Sequence, residues 1–112
     1  MKHILSLLVI FIFLSCSKDT VVNIRLKNVS NSTFESAAYN NLDYGELNPE
    51  EFTEYKEFES SYPYGLFSVI VNSQVFELIP IDFVGEKLLE SGDYTFELDL
   101  DQSTLTIKLV ED

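Results

Sequence analysis

The final segment of the chain alternates between apolar and polar residues, and this pattern limits the possible folds more than any other feature of the sequence. Apolar residues occupy every second position on either side of Gln102-Ser103: Tyr94, Phe96, Leu98 and Leu100 before it, and Leu105, Ile107 and Leu109 after it. A period of two is typical of β-strands that bury one face. A two-residue turn at 102–103 would bring both apolar rows onto one face, which predicts a β-hairpin. The predicted pairs are Leu100 with Leu105, Leu98 with Ile107, and Phe96 with Leu109.

The same period recurs in the preceding part of the chain. Val22, Ile24 and Leu26 alternate with polar residues and predict a first strand with one buried face. Further strands are predicted over residues 34–40, 51–58, 66–71 and 74–80, with turns at 43–45, 48–49 and 72–73. The nearly all-apolar segment 66–71 predicts a central strand that is buried on both faces. The predicted pairs across the turn at 72–73 are Ile70 with Val75, Val69 with Phe76, and Phe67 with Leu78.

Six or seven short strands joined by turns, in a domain of about 90 residues, predict an all-β fold, an antiparallel Greek-key β-sandwich of about seven strands. The spacing Leu-x-x-Gly-x-Tyr over residues 89–94 refines this prediction, because it resembles the tyrosine corner of Greek-key sandwiches. Gly92 and Tyr94 would form this corner, and the hydroxyl of Tyr94 would donate a hydrogen bond to the backbone near Glu90. The alternative is an ordinary core role for the Tyr94 ring.

An apolar stretch near the N-terminus predicts a targeting segment. Residues 4–14 are apolar apart from Ser6 and follow a short, weakly basic start. This stretch is too short to cross a hydrocarbon core, which takes about 20 residues, but it matches the apolar region of a secretory signal peptide. Ser15-Cys16 then precedes an abrupt change to polar residues and resembles a bacterial lipobox. The alternative is a buried N-terminal helix with an incidental cysteine.

The lipobox implies that Cys16 receives a diacylglyceryl group and that cleavage removes residues 1–15. The predicted organisation is therefore a helical lipoprotein signal peptide at 1–15, a lipidated tether at 16–20 and a β-sandwich domain over 21–112. Each buried methylene group contributes about 0.8 kcal/mol, so two or three acyl chains hold a protein at a membrane permanently.

The acidity of the chain and its histidine content restrict the possible chemistry. The chain has 7 Lys+Arg against 19 Asp+Glu and a net charge of −12, which argues against a nucleic-acid partner. Loss of residues 1–15 removes Lys2 and the single histidine, His3, so the predicted mature chain carries a charge of −13 and no histidine. Its one thiol carries lipid. This composition excludes catalysis by histidine or cysteine and histidine-ligated metals, and we expect no enzyme activity and no cofactor.

Carboxylates are the only plentiful reactive groups that remain. Asp99 and Asp101 are weak candidates for a calcium site, because carboxylate oxygens suit a hard cation, but no segment has the spacing of a calcium-binding loop. A hydrolase would need two acids that flank a cleft at a defined separation. The favoured interpretation is a solvated acidic face that keeps the sheet soluble.

Tyr62-Pro63-Tyr64 is the strongest candidate for a ligand contact. Five tyrosines are expected in loops or on sheet faces: Tyr39, Tyr44, Tyr55, Tyr62 and Tyr64. An exposed tyrosine offers a flat apolar ring and a hydroxyl, which suits recognition of a glycan or a protein. The alternative is a loop that Pro63 locks onto the end of the sandwich.

Four further segments, together with the lipobox, resemble one group of proteins. Residues 43–47, 54–58, 80–86 and 89–94 are similar to segments of small lipid-anchored β-sandwich lipoproteins of Bacteroidota. The resemblance implies an immunoglobulin-like or transthyretin-like fold and an outer-membrane location, either periplasmic or surface-exposed. It implies no catalytic residues. Asp19-Thr20-Val21 also resembles the acceptor for O-glycosylation in such lipoproteins, which makes Thr20 a candidate glycosylation site.

The expected function follows from the anchor, the acidity and the tyrosines. We expect a non-enzymatic binding or structural accessory module of the bacterial envelope, whose partner is another envelope protein or a glycan. One alternative is an inhibitor or immunity-type protein that directs its negative charge at a basic partner. The other is a calcium-dependent or hydrolytic envelope module that uses surface carboxylates.

Overall fold

The alternating apolar residues form the facing surfaces of two β-sheets. A computed structural model describes residues 20–80 and 87–112, which form eight strands. The strands are β1 (Val22–Asn28), β2 (Phe34–Tyr39), β3 (Leu42–Leu47), β4 (Lys56–Phe58), β5 (Phe67–Val71), β6 (Gln74–Leu78), β7 (Gly92–Asp101) and β8 (Thr104–Glu111). The predicted all-β sandwich is confirmed. The predicted signal-peptide helix and residues 81–86 of the connection between β6 and β7 lie outside the described residues.

Each sheet contains four strands. The first has the order β4-β1-β7-β8 and the second has the order β3-β2-β5-β6. Neighbouring strands are antiparallel except β1 and β7, which run parallel from Val22 opposite Gly92 to Asn28 opposite Leu98. β1 and β2 lie in different sheets, whereas the first two strands of an immunoglobulin domain share a sheet.

Both predicted hairpins have the predicted register. β7 pairs with β8 so that Leu100 lies opposite Leu105, and β5 pairs with β6 so that Val69 lies opposite Phe76. Asn72, in the turn between β5 and β6, has a φ of 52°. This left-handed conformation gives a two-residue turn the twist that its strands require.

Buried side chains from both sheets meet in one apolar core. Its fully or almost fully buried members are Val22, Ile24, Leu26, Phe34, Ala37, Tyr39, Leu47, Phe67, Val69, Tyr94, Phe96, Leu98 and Leu105. The expectation that Tyr39 lies in a loop or on a sheet face is wrong. Its ring is buried, with its centroid 4.9 Å from that of Phe67, 5.1 Å from that of Phe96 and 5.6 Å from that of Phe58.

The predicted turn at 43–45 is wrong, because this segment belongs to β3. The chain turns earlier, at Asn40 and Asn41, whose φ angles of 51° and 67° suit a two-residue hairpin. Asparagine adopts this left-handed conformation more readily than most residues. Asp43 and Gly45 instead belong to an irregular part of the β2–β3 pairing, where the Asp43 carboxylate accepts a hydrogen bond from the Gly45 N–H at 2.8 Å.

The predicted strand over 51–58 is shorter than expected, since only Lys56–Phe58 forms β4. Thr53 holds the preceding segment against β1 in another way. Its backbone N–H donates to the Leu26 carbonyl at 2.8 Å, and its hydroxyl accepts from the Leu26 N–H at 2.9 Å. A side-chain oxygen thus takes the place of a regular backbone pair.

The central strand predicted over 66–71 buries one face, not two. β5 lies between β2 and β6, and its Phe67 and Val69 are fully buried. The intervening Ser68 and Ile70 are half-buried on the outer face of the sheet. A sheet with one solvated face explains this alternation, because nothing in the described residues packs over the second face as a third layer would.

Strand directions divide the loops between the two ends of the sandwich. The turn at 40–41, the loop 59–66 and the segment after β6 lie at the end where β1 begins, because Val22 pairs with Phe58 and Phe67 pairs with Leu78. We call this the entry end. The turns at 72–73 and 102–103 lie at the opposite end.

Candidate functional site

Three separate segments form a cleft at the entry end. Its volume is about 470 Å³, within the range of roughly 300–1,000 Å³ that is usual for small-molecule sites. The lining residues come from the β2–β3 turn, the β4–β5 loop and the position after β6: Asn40, Tyr62, Tyr64, Gly65, Leu66 and Pro80. We call this site the tyrosine cleft. Both predicted contact residues, Tyr62 and Tyr64, lie in it.

Tyr62 and Tyr64 form a stacked pair. Their ring centroids are 5.5 Å apart and the ring planes differ by 15°. Stacking leaves Tyr62 43% exposed, while Tyr64 is half-buried. Pro63 between them has a restricted φ, which limits the conformations of the loop. The two interpretations of this segment are compatible, since a loop held on the end of the sandwich can also present rings to a ligand.

Asn40 joins the β2–β3 turn to the loop that carries the tyrosines. Its backbone N–H donates to the Leu66 carbonyl at 2.7 Å, and its side-chain carbonyl accepts from the Leu66 N–H at 2.9 Å. The paired hydrogen bonds hold Leu66 beside the turn. Asn40 therefore serves the cleft in two ways, through its left-handed backbone and through its amide oxygen.

Tyr39 supports the cleft from below. Its hydroxyl forms a short hydrogen bond with the Ser61 hydroxyl and donates to the Tyr64 carbonyl at 3.5 Å. Burial raises the pKa of Tyr39 above its ordinary value, and hydrogen bonds with Ser61 and Asn40 partly oppose this. A core side chain thus fixes the loop that carries the stacked pair.

Gly65 permits the close approach of the loop to Tyr39. A Cβ atom at this position would lie 2.7 Å from Oδ1 of Asn40 and closer still to the Tyr39 ring. Both distances are below normal van der Waals contact, so no larger residue fits without movement. Sequence reasoning did not identify Asn40, Gly65 or Pro80 as site residues.

The tyrosine cleft is uncharged although the chain is strongly acidic. None of its six lining residues has an ionisable carboxylate or amine. The acidic residues between β3 and β5 are exposed elsewhere: Glu50, Glu51, Glu54, Glu57 and Glu59. The cleft therefore offers aromatic rings, an amide and backbone groups, which suit a neutral ligand surface better than an ionic one.

The two weak calcium candidates do not form a site with other ligands. Asp99 and Asp101 lie exposed on the outer face of β7, opposite Thr106 and Thr104 of β8. Within residues 20–80 and 87–112, no group of three or more His, Cys, Asp or Glu side chains could hold a metal ion.

A second polar cluster lies on the outer face of the first sheet and was not identified from the sequence. The Arg25 guanidinium lies 4.0 Å from the centroid of the Phe52 ring and 4.7 Å from that of Tyr55. Its Nε donates to the Thr95 hydroxyl at 3.0 Å, and the Thr95 hydroxyl donates to the Asp112 carboxylate at 2.8 Å. These contacts hold the segment before β4 against the sheet, so we assign the cluster a structural role.

The remaining predicted site residues have different outcomes. Cys16 lies outside the described residues. Thr20 is exposed. The Tyr94 hydroxyl donates to the Glu90 carbonyl at 2.8 Å, which is the hydrogen bond expected of a tyrosine corner. Gly92 begins β7, and its N–H donates to the Val21 carbonyl at 3.1 Å.

Replacing Tyr94 by phenylalanine is expected to lower the free energy of unfolding by about 1 kcal/mol, because the ring is kept while the bond to the Glu90 carbonyl is lost. Urea denaturation of both proteins measures the difference. Tyr62→Phe is the matched control, since its ring is exposed and we expect a change below about 0.5 kcal/mol. Equal effects of the two substitutions would contradict the tyrosine corner.

The buried Tyr39 and the half-buried Tyr44 predict a loss of stability in alkali. Burial raises the pKa of Tyr39 and of Tyr44 above the ordinary value of 10.0. Above pH 10 these hydroxyls lose their protons more readily in the unfolded chain, so stability is full below this pH and falls above it. Each such group contributes up to about 1.4 kcal/mol per pH unit. Denaturation between pH 8 and 11 should show this fall, with a shallower slope for Tyr44→Phe; an unchanged slope would contradict it.

Comparisons with known proteins add no assignment. No protein-family model, curated protein or solved structure matches the chain. In the described part of the chain, no helix has the length and apolar character needed to cross a membrane. A functional assignment therefore depends on the sequence motifs and on the geometry of the tyrosine cleft.

Proposed function

We propose that the chain is a lipid-anchored, non-enzymatic lipoprotein of the bacterial outer membrane, and that it binds its partner through the tyrosine cleft. The apolar stretch 4–14 and Ser15-Cys16 support the anchor, since they combine a signal-peptide core with a lipobox-like end. The folded domain begins at Val22, only a few residues after Cys16. The domain is therefore an accessory module held close to a lipid surface.

The observation that carries the binding role is the stacked pair Tyr62 and Tyr64 in a cleft of about 470 Å³. Ligand sites are usually concave, mostly apolar and equipped with a few polar groups. The cleft has this character, because the rings, Leu66 and Pro80 supply apolar surface. Aromatic side chains with a polar tip are also enriched at recognition surfaces.

The uncharged lining favours a glycan or a neutral protein segment as the partner. Sugar rings and extended peptides both present flat apolar faces to tyrosine rings and hydrogen-bonding groups to their hydroxyls. An inhibitor of a basic partner would need carboxylates at its contact surface, and none of the six lining residues supplies one. The net charge of −12 then serves solubility rather than recognition.

Photo-crosslinking in intact cells tests the binding role. A benzophenone amino acid placed at Tyr62 should form an adduct with one predominant envelope component, which mass spectrometry identifies as protein or glycan. The same amino acid at Thr106, which is exposed on β8 of the first sheet and does not line the cleft, is the control. Adducts of equal yield and identity at both positions, or none at Tyr62, would contradict the role of the cleft.

Fatty-acid labelling tests the anchor independently. Cells grown with radioactive palmitate should incorporate label into the wild-type chain but not into Cys16→Ala, because the diacylglyceryl group needs the thiol. The variant should also leave the membrane fraction. Label that persists in Cys16→Ala would show that the anchor assignment is wrong.

A further inference from the structure

Exposed apolar side chains are concentrated at the entry end of the sandwich. The described residues include eight large apolar side chains with substantial exposure, and five of them lie at this end: Val21, Leu42, Tyr62, Ile79 and Leu88. Leu42 pairs with Tyr39, and Ile79 directly follows the end of β6. The backbone of Leu89, next to Leu88, donates to the Ser61 carbonyl at 2.8 Å.

The other three exposed apolar residues do not share this location. Phe52 and Tyr55 pack against the Arg25 guanidinium on the outer face of the first sheet. Val75 is 56% exposed but lies one residue from the turn at the opposite end. Among residues 20–80 and 87–112, most of the exposed large apolar side chains thus lie at the entry end, which also contains the uncharged cleft.

The short tether brings this end close to lipid. Five residue steps separate Cys16 from Val21, and a fully extended chain spans at most about 3.6 Å per residue, so Val21 lies no more than about 18 Å from the lipidated residue. β7 has ten residues, which at about 3.3 Å each places the far turns roughly 33 Å further away. The entry end is therefore the end of the sandwich that lies nearest the lipidated residue.

We propose that the entry end docks on the headgroup region of the bilayer to which Cys16 is anchored. The proposal rests on the proposed anchor. Tyrosine suits this region, because its ring enters the apolar boundary while its hydroxyl stays hydrated, and Ile79 and Leu88 add apolar area beside it. A short tether gives an effective concentration in the millimolar range, so weak contacts suffice to hold one orientation.

The charge of the entry end defines which lipid it accepts. Glu59 and Glu90 are exposed there with one basic residue, Lys87, and the whole chain is acidic. Anionic lipids attract basic segments and repel acidic ones. Docking is therefore strongest on zwitterionic lipid and weakens as the fraction of anionic lipid rises. It also turns the tyrosine cleft toward the membrane, so the ligand of the cleft is a molecule presented at that surface.

Depth measurement on the lipid-anchored chain tests this docking. Ile79→Cys and Val75→Cys each place one nitroxide label on β6 or just after it, at opposite ends of the sandwich and at similar exposure (62% and 56%). The lipidated Cys16 has no free thiol, so the introduced cysteine is the single labelling site. The chain is reconstituted in phosphatidylcholine vesicles, and accessibility to a water-soluble paramagnetic reagent is compared with accessibility to oxygen. Mass spectrometry of the Cys16 lipid and circular dichroism verify anchor and fold.

Docking predicts several-fold lower accessibility to the water-soluble reagent at position 79 than at position 75. This difference should shrink as anionic lipid is added to the vesicles, up to about 30% of the lipid. The substitutions Tyr62→Ser and Leu88→Ser should remove the protection at 79 without unfolding the domain.

Equal aqueous accessibility at both positions on a correctly lipidated chain would overturn the docking and leave the anchor intact. Protection at 79 that arises only after addition of envelope extract would assign this end to a protein partner and also overturn it. A chain without lipid on Cys16 would instead refute the proposed anchor.

Discussion

Replacing Asn28 by leucine is expected to lower the free energy of unfolding by about 3–5 kcal/mol, because it removes four hydrogen bonds and leaves the Ser30 N–H and the Leu47 carbonyl without their Asn28 partner. Asn28 ends β1 and is fully buried. Its amide nitrogen donates to the Ser32 carbonyl at 2.7 Å and to the Leu47 carbonyl at 3.0 Å. Its amide oxygen accepts from the Ser30 N–H at 2.8 Å and from the Ser30 hydroxyl at 2.7 Å.

The cost arises from lost hydrogen bonds and not from a cavity, because leucine branches like asparagine but is the larger side chain. Crowding at this fully buried position adds to the cost. Each buried group that loses its partner costs about 1–3 kcal/mol, with some relief where water can enter. Thermal and urea denaturation measure the effect, and the melting temperature should fall by roughly 15 °C or more. Asn31→Ala is the control, because Asn31 is exposed in the same loop and its loss should change stability by less than about 0.5 kcal/mol. A comparable loss at both positions would show that the Asn28 network is not the cause.

Asn28 illustrates what a period-two pattern can and cannot predict. The apolar row of Val22, Ile24 and Leu26 predicts a strand that ends before Asn28, because asparagine is polar and typical of turns, whereas the structure continues β1 to Asn28 with its side chain buried. The pattern does not show that a polar side chain is satisfied there, because its partners Ser32 and Leu47 belong to other segments. The registers of the two hairpins could be predicted, because the apolar alternation and the length of the turn are both local features and both indicate the same register.

Tyr39 was misplaced for a local physical reason. Counting by twos from the buried Phe34 would place Ser36 and Ala38 inward and Tyr39 outward. The β2–β3 pairing shifts between Phe34 and Ala37, so Ala37 and Tyr39 point inward instead. A β-bulge of this kind inserts a residue into the count and reverses the faces that follow. The bulge cannot be identified from the apolar pattern alone.

Only part of the tyrosine cleft could be predicted from the sequence, because its other residues are distant along the chain. Tyr62 and Tyr64 are close in sequence, and their composition alone indicates a recognition segment. Asn40 and Pro80 reach the same place because β2 pairs with β5 and β5 pairs with β6, so that Tyr39, Phe67 and Leu78 lie side by side. Such a juxtaposition depends on long-range strand pairing, which no local motif encodes.

Replacing Gly65 by alanine is expected to lower the free energy of unfolding by about 2–3 kcal/mol, since it adds a methyl group to a packed position. The new Cβ would lie 2.7 Å from Oδ1 of Asn40 and closer to the Tyr39 ring. The Tyr39 ring cannot retreat freely, because it is fully buried and lies 4.9 Å from the Phe67 ring. The loop must therefore move, which should shift the NMR signals of Tyr62 and weaken any ligand bound in the cleft.

Gly45→Ala separates this steric cost from the general cost of losing a glycine. Gly45 has a φ of 93° and nothing within 4 Å of the added Cβ, so its substitution costs only backbone strain, about 1 kcal/mol. Gly65 has no left-handed φ, and its cost comes from contact alone. Urea denaturation should rank Gly65→Ala as the more destabilised variant, and NMR should show shifted Tyr62 signals for Gly65→Ala but not for Gly45→Ala. The reverse order, or unshifted Tyr62 signals in Gly65→Ala, would show that Tyr39 and the cleft loop are not packed as tightly as this geometry requires.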